Sequence, residues 1–87
     1  MNGAATQIAS REFDRDFFRL PPRIQMRVQR GIDLMGLRLA TFRHYRMTGS
    51  DQYRLRMGDY RVIYRFDLIR GEIYLVAIGH RRDIYRD

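Results

Sequence analysis

The amino-acid sequence predicts a small single-domain α+β fold of element order β-α-α-β-β-β, with two N-terminal helices packed on one face of an antiparallel-rich sheet. Three patterns predict this fold. Apolar residues recur at helical spacing on both sides of Pro21-Pro22. Apolar and basic residues alternate on both sides of Gly58-Asp59, and residues 73–78 are apolar at nearly every position.

The first half of the chain is predicted to form a strand and two helices. Residues 6–9 are a candidate first strand, after a frayed end at residues 1–5. Ser10 is the predicted N-cap of a helix with an acidic first turn, and Pro21-Pro22 ends that helix and begins the second. Gly36 is the predicted C-cap of the second helix.

A β-hairpin is the strongest signal in the second half. Its two-residue loop, Gly58-Asp59, predicts that Arg56 faces Arg61 across the strand pair, and that one face of the pair is apolar. The other face, called the Arg face below, carries Arg54, Arg56, Arg61 and Arg65. Like charges directly opposite each other destabilise a strand pair, so this face favours a polyanionic partner over the alternative of a solvated sheet surface.

The remaining segments are less regular. Residues 36–52 form a connection of undefined structure with a turn at residues 48–50, and residues 67–72 form a turn around Gly71. The apolar run at residues 73–78 predicts a central strand buried on both faces, after which Gly79 releases the chain into a charged tail.

Composition narrows the function classes. The 87 residues suffice for one domain, and the net charge of +7 comes from 17 basic residues, all arginine, which favours an acidic partner such as nucleic acid or an acidic protein. A GC-rich genome would produce the same arginine bias without a functional reason. The absence of cysteine and the presence of only two histidines exclude a disulfide framework and the usual zinc sites. With no apolar run of membrane-spanning length and no signal peptide, we expect a cytoplasmic protein without membrane contact.

Candidate catalytic residues follow the last predicted strand. His80, Arg81 and Tyr85 leave that strand beside the hairpin, although an ordinary charged C-terminus would have the same composition. His44, in the loop before the hairpin, is a second candidate because histidine titrates near neutral pH. Phosphate-binding loops, serine-hydrolase elbows and zinc-protease motifs are all missing from the sequence.

Three segments together resemble the RelE group of bacterial toxins. They are Arg-Leu-Arg-Met-Gly-Asp-Tyr-Arg-Val-Ile-Tyr at 54–64, Thr-Gly-Ser at 48–50 and Gly-His-Arg-Arg-Asp-Ile-Tyr at 79–85. The helical segment 13–21 is also similar to the first helix of that family, and the resemblance spans roughly residues 7–86.

The resemblance implies a toxin of a type II toxin–antitoxin pair that cuts mRNA in the ribosomal A site and so inhibits translation. In this family the ribose 2′-hydroxyl attacks the adjacent phosphate, and neither a metal nor another cofactor is required. A cognate antitoxin is also implied, which the charge leads us to expect to be acidic. Operator DNA would be bound only through that antitoxin.

The resemblance also implies roles for single residues. Arg61, Arg81 and Tyr85 match catalytic positions of the family, and His80 is a further candidate for proton transfer. Arg54 and Arg56 stand where the best-known members have lysine. Because arginine does not release its proton in proteins, these two are assigned to phosphate binding, and Tyr85 or His80 to proton transfer. The predicted RNA-binding set is Arg54, Arg56, Arg65 and His44.

Two other functions remain open from the sequence. A ParE-like protein would have the same fold but would poison DNA gyrase by binding it, without nuclease activity. A non-catalytic RNA-binding domain would use the Arg face alone. The set of Arg61, Arg81 and Tyr85 favours the nuclease, because a gyrase-binding protein has no need of it.

Overall fold

Five strands and three helices make up residues 4–84, the part of the chain that the computed structural model describes. In chain order they are β1 (Thr6–Ala9), α1 (Arg11–Phe18), α2 (Pro22–Leu37), β2 (Tyr45–Arg46), β3 (Tyr53–Met57), β4 (Tyr60–Asp67), β5 (Glu72–His80) and α3 (Arg81–Ile84). The strands form one sheet of order β1-β5-β4-β3-β2, in which β1 runs parallel to β5 and the other neighbours are antiparallel. The predicted α+β class is confirmed.

The N-terminal elements agree with the prediction except at one end. Ser10 caps α1 by accepting the backbone N–H of Phe13 at 3.0 Å. The prediction that Gly36 is the C-cap of α2 is wrong, because the helix continues to Leu37 and Arg38 is the cap. Gly36 is buried in the helix, where an added Cβ would lie 3.6 Å from the backbone nitrogen of Ala5. That distance is an ordinary van der Waals contact, so the helix passes close to Ala5 without a clash.

The frayed end predicted for residues 1–5 falls partly outside the described chain, which begins at residue 4. Ala5 itself is fixed, because its backbone N–H donates to the Gly36 carbonyl at 3.0 Å.

The hydrophobic core lies between the two long helices and one face of the sheet, called the helix-covered face below. Helix α2 approaches β3 so closely that an added Cβ at Gly31 would lie 2.5 Å from the Cε of Met57. The buried core residues are Phe13, Phe17, Val28, Ile32, Met35, Leu39, Leu55, Val62, Tyr64, Ile73, Leu75 and Ile78. No helix within residues 4–84 is long and apolar enough to cross a membrane.

The predicted hairpin register is confirmed, with Arg56 opposite Arg61 and Met57 opposite Tyr60. Gly58 has a φ of +62°, whereas Asp59 does not have a positive φ, which is the pattern of a type II′ turn. The turn therefore requires glycine at its first position. An added Cβ at Gly58 would also lie 2.9 Å from the Nη1 of Arg27, the end of an exposed side chain that can move aside.

The prediction for the last strand is partly wrong. Strand β5 continues through Gly79 to His80, and Tyr74, Val76 and Ala77 are only half-buried, so the strand is not buried on both faces. A bulge shifts the pairing, since Ile63 faces Ala77 and Tyr64 faces Leu75. The extra residue, Val76, accepts the Ser10 hydroxyl hydrogen at 2.8 Å through its carbonyl, which ties the bulge to the start of α1.

Two short elements were not predicted. Strand β2 pairs with β3 inside the connection of undefined structure, with Tyr45 opposite Arg54 and Arg46 opposite Tyr53. Helix α3 begins directly after β5, where the sequence predicted an irregular tail. Both elements lie next to the Arg face, so they matter for the site.

Candidate functional site

The Arg face lies on the side of the hairpin opposite the two long helices, because successive side chains of a strand point to opposite faces. The side chains of Arg54, Arg56 and Arg65 are exposed, whereas Arg61 is buried with 8% of its surface accessible. The sequence therefore placed all four arginines on one face correctly, but their environments differ.

The Arg61 guanidinium is held by the turn of its own hairpin. Its Nη1 donates to the Gly58 carbonyl at 2.7 Å and to the Tyr60 carbonyl at 2.9 Å. These charge-assisted hydrogen bonds offset the unfavourable position opposite Arg56. A guanidinium has five N–H donors. Of those on Arg61, only the N–H donors of Nη1 have a partner within residues 4–84, so the remaining donors suit an anion.

Arg81 connects the tail to the hairpin turn. Its backbone N–H donates to the Asp59 carbonyl at 2.7 Å, and its Nε lies 3.7 Å from Oδ1 of the same residue. Both side chains are more than half exposed, so this ion pair contributes little to stability. It nevertheless places the Arg81 charge beside the turn that holds Arg61.

Helix α3 returns across the Arg face. Gly79 is opposite Arg61 in the sheet, and an added Cβ there would lie 3.6 Å from Cδ1 of Ile84. The last described residue, Ile84, therefore packs on the same side of the sheet as Arg61. Tyr85 lies outside the described residues, and its catalytic role stays a prediction.

His80 lies on the helix-covered face. It is opposite Tyr60 in the sheet, and the two rings meet edge to face with centroids 5.7 Å apart. Its Nδ1 accepts the backbone N–H of Arg82 at 3.2 Å. The sequence predicted His80 together with Arg61 and Arg81, but the alternation of β5 directs it away from the Arg face.

His44 also lies away from the Arg face. Its Nε2–H donates to the Leu39 carbonyl at 2.8 Å, and its Nδ1 accepts the Tyr64 hydroxyl hydrogen at 2.6 Å. The ring stacks on Phe66 with centroids 4.0 Å apart. With both ring nitrogens bonded within the protein, the position of His44 favours a role in folding over the predicted contact with RNA.

Arg65 has an acidic partner and lies against an aromatic ring. Its Nη1 lies 3.5 Å from Oδ2 of Asp51, and its guanidinium lies 5.8 Å from the ring centroid of Tyr74. The acid comes from the loop before β3 and not from the hairpin strands. A phosphate that bound Arg65 would therefore compete with the Asp51 carboxylate.

Tyr45 belongs to the Arg face and was not among the predicted site residues. It is opposite Arg54 in the sheet and 53% exposed, and the guanidinium of Arg43 lies 5.4 Å from its ring centroid. A cleft of about 630 Å³ is lined by Phe42, Arg43, Tyr45, Arg54, Leu55, Arg56 and Arg61. The two-residue strand that positions Tyr45 is too short for any periodicity to reveal it.

Two tyrosines of the sheet have a perturbed pKa. Burial raises the pKa of Tyr64, whose hydroxyl donates to His44. A hydrogen bond to the Glu72 carboxylate raises the pKa of Tyr74, as burial does to a smaller extent. Both groups therefore stay protonated near neutral pH and are poor proton acceptors.

The chemistry of the site follows from these groups. The described part of the Arg face can bind a phosphate and stabilise added negative charge, but arginine cannot accept a proton. No group of three or more metal-ligating side chains occurs within residues 4–84. A proton acceptor for the site must therefore be a group other than these arginines.

Sequence comparisons identify related proteins. Residues 8–85 match the family described as the ParE toxin of the type II toxin–antitoxin system parDE. Toxin RelG of Mycobacterium tuberculosis (strain ATCC 25618 / H37Rv) is 34% identical over 74 residues, which cover 83% of this chain and 85% of RelG.

Solved structures have the same fold. A chain of the toxin–antitoxin complex RelBE2 from Mycobacterium tuberculosis aligns with a TM-score of 0.72 and 26% identity, covering 95% of this chain and 98% of that one. The RelE–RelB complex from Pyrococcus horikoshii OT3 gives a TM-score of 0.73 and 22% identity, covering 92% and 98%. A mutant of the E. coli toxin RelE in the free state gives 0.75 at 12% identity, covering 93% and 87%, which supports the fold alone.

Proposed function

Because this chain belongs to the RelE/ParE superfamily of type II toxin–antitoxin toxins, we propose that it is a ribosome-dependent endoribonuclease that cuts mRNA in the A site and stops translation. The observation that carries this proposal is the arrangement at the hairpin turn. Arg61 is held there by two backbone carbonyls, and Arg81 is held beside it by Asp59. Two guanidinium groups at the same hairpin turn suit a reaction that builds up negative charge on a phosphate.

The reaction is an internal transesterification. The ribose 2′-hydroxyl loses its proton and its oxygen bonds to the adjacent phosphorus, while the bond from phosphorus to the 5′ oxygen of the next nucleotide breaks. That oxygen takes up a proton, so the products are a 2′,3′-cyclic phosphate and a 5′-hydroxyl. Charge grows on the phosphate oxygens in the transition state, where Arg61 and Arg81 stabilise it.

The other arginines bind the RNA strand. Arg54 and Arg56 are exposed on the Arg face and line the same cleft as Arg61. Their charges hold the phosphates that flank the one being cut, since guanidinium pairs with phosphate through two parallel hydrogen bonds. We expect their loss to weaken substrate binding more than the chemical step.

Proton transfer is assigned to Tyr85, with His80 as the second candidate. Ile84 packs on the Arg face, so the next residue follows a segment that is already on the correct side of the sheet. His80 would need to leave Tyr60 and the backbone N–H of Arg82 before it could contribute. Tyr85 is therefore the stronger candidate.

The partners follow from the same proposal. The toxin acts in the cytoplasm on translating ribosomes and is neutralised by an acidic cognate antitoxin, through which the pair binds operator DNA. The net charge of +7 supports both an RNA substrate and an acidic antitoxin. The similar chains of known structure belong to a toxin–antitoxin complex, RelBE2 of Mycobacterium tuberculosis, and to the RelE–RelB complex of Pyrococcus horikoshii.

Inducible expression with primer extension on a reporter mRNA tests the proposal. We expect cuts within translated codons and none in untranslated RNA, and we expect Arg81→Ala and Tyr85→Phe each to abolish growth arrest. Arg70→Ala is the matched control, because Arg70 is exposed in the turn between β4 and β5, at the other end of the sheet from the hairpin turn. Full toxicity of both site variants would refute the nuclease.

A ParE-like gyrase poison is the second candidate, favoured by the description of the matching family. It predicts a DNA-damage response and filamentation with intact mRNA, and toxicity that survives Arg81→Ala and Tyr85→Phe. The same expression experiment therefore separates the two functions.

A further inference from the structure

Tyr45 is an exposed aromatic side chain on a face that otherwise carries arginines. It is 53% exposed and opposite Arg54 in the sheet, and it lines the same cleft as Arg54, Arg56 and Arg61. Its hydroxyl has no hydrogen-bond partner within residues 4–84, so the exposed ring is the main part of the side chain that a ligand could contact. The fold does not use this ring for its core, since Tyr45 lies outside the buried cluster.

The position of the ring suits a nucleobase. Neighbouring strands are about 5 Å apart, so Tyr45 lies one strand from Arg54. Arg61 lies two strands away and two residues further along, about 12 Å from Tyr45. A strand of RNA with a phosphate at Arg61 therefore brings a neighbouring base over β2. Arg43 adds positive charge at the same place. Its guanidinium lies 5.4 Å from the Tyr45 centroid, where a base and its phosphate would bind.

We propose that Tyr45 stacks on a base of the bound RNA, which makes the 630 Å³ cleft a base-binding subsite beside the phosphate-binding arginines. This proposal rests on the proposed RNA substrate. Stacking on an aromatic ring accepts any base, so the subsite positions the strand and does not read its sequence. Tyr45 is a substrate-positioning residue, and its loss raises KM while kcat changes little.

Binding to programmed ribosomes tests this proposal without cleavage. The probe is a mRNA whose A-site codon and two flanking nucleotides are 2′-O-methylated, so that the attacking hydroxyl is blocked, and full-length toxin is titrated against it. We expect Tyr45→Thr, which keeps a residue suited to a strand but removes the ring, to weaken binding about tenfold. Tyr45→Phe and Tyr45→Trp keep the ring and should bind within about twofold of the original protein.

A second series locates the stacked base. Replacing one base at a time by an abasic nucleotide should cost about tenfold at one position in the original protein and nothing further at that position in Tyr45→Thr. An equal loss in Tyr45→Phe and Tyr45→Thr, or an abasic penalty that persists in Tyr45→Thr, would overturn the stacking role. Thermal unfolding within about 2 °C of the original protein shows that Tyr45→Thr is folded, as expected for an exposed edge residue.

The failure of this proposal and of the proposed function are distinguishable. If the original protein neither binds the blocked ribosomes nor cuts translated mRNA, both fail. If it does both and Tyr45→Thr is unchanged, only the stacking role fails. Arg54→Ala is a positive control for weakened binding in either case, because it removes a charge from the same cleft.

Discussion

The two faces of the β3–β4 hairpin are built by adjacent residues and have opposite properties. On the helix-covered face Leu55, Val62 and Tyr64 are buried in the core. On the Arg face Arg54 and Arg56 are exposed. A shift of one residue along β3 therefore exchanges an apolar position in the core for an exposed, charged one.

Arg61 is an exception, because it lies on the Arg face but is buried. It belongs to the Arg face by register, yet it is as inaccessible as a core residue and is bonded to two carbonyls of its own turn. The comparison teaches that a side chain can be buried without belonging to the apolar core. The fold fixes this one charged side chain and holds its remaining donors in a defined orientation.

The largest expected difference between the faces is in the free energy of unfolding. Tyr64→Ala removes a fully buried ring and should cost about 4 kcal/mol. Arg65→Ala, one position further along β4, removes an exposed side chain with a weak ion pair and should cost less than about 1 kcal/mol. Urea unfolding measures both, and similar losses in the two variants would contradict the assignment of the faces.

The second expected effect concerns Arg61. Arg61→Ala leaves the Gly58 and Tyr60 carbonyls without their donor, which should cost about 2 kcal/mol of unfolding free energy. Arg56→Ala, directly opposite in the sheet, is the matched control and should cost less than about 0.5 kcal/mol. Equal stability of the two variants would mean that the turn does not depend on the Arg61 guanidinium.

The third effect is a loss of stability at alkaline pH. The pKa of Tyr64 is raised by burial in the folded protein, whereas in the unfolded chain it is near its ordinary value of about 10. Above that pH the unfolded state loses the proton before the folded state does. The free energy of unfolding is unaffected by this group below about pH 10, and above it falls by up to about 1.4 kcal/mol per pH unit.

Tyr64→Phe has no proton to lose, so urea midpoints compared at about pH 9 and about pH 11 should fall less steeply for this variant than for the original protein. Near neutral pH the same variant should lose about 1 kcal/mol with the hydrogen bond to His44. Identical alkaline slopes for the two proteins would show that another group is responsible.

The smallest effect is expected at Asp59. Asp59→Asn removes the ion pair with Arg81 but keeps the backbone carbonyl that accepts the Arg81 N–H. The cost should be about 0.5 kcal/mol or less in low salt and should disappear in about 1 M salt, where exposed charges are screened. A salt-independent loss of more than about 1 kcal/mol would mean that the carboxylate supports the turn by other contacts.

The hairpin could be predicted in detail because two constraints agree in its sequence. The alternation fixes which side chains share a face, and the two-residue loop at Gly58-Asp59 fixes the register. Burial of Arg61 could not be predicted, since it depends on where the carbonyls of the turn point. The same limit applies to Tyr45, which lies on a strand of two residues.

The face of His80 could have been derived with one further step. Ile78 is buried on the helix-covered face, so a strand that continued two residues would place His80 on that face too. Gly79 was interpreted as the end of the strand, because glycine usually weakens strands. Here the strand continues through Gly79, and Ile84 packs against that glycine, a tertiary contact that local sequence does not contain.

The bond from Arg61 to the Gly58 carbonyl links the length of the hairpin loop to the identity of residue 61. One inserted residue in the turn would move that carbonyl and release the guanidinium. Among related chains, we therefore expect the loop length and this arginine to change together. A chain with a longer turn would need another acceptor for the guanidinium or another residue in place of this arginine.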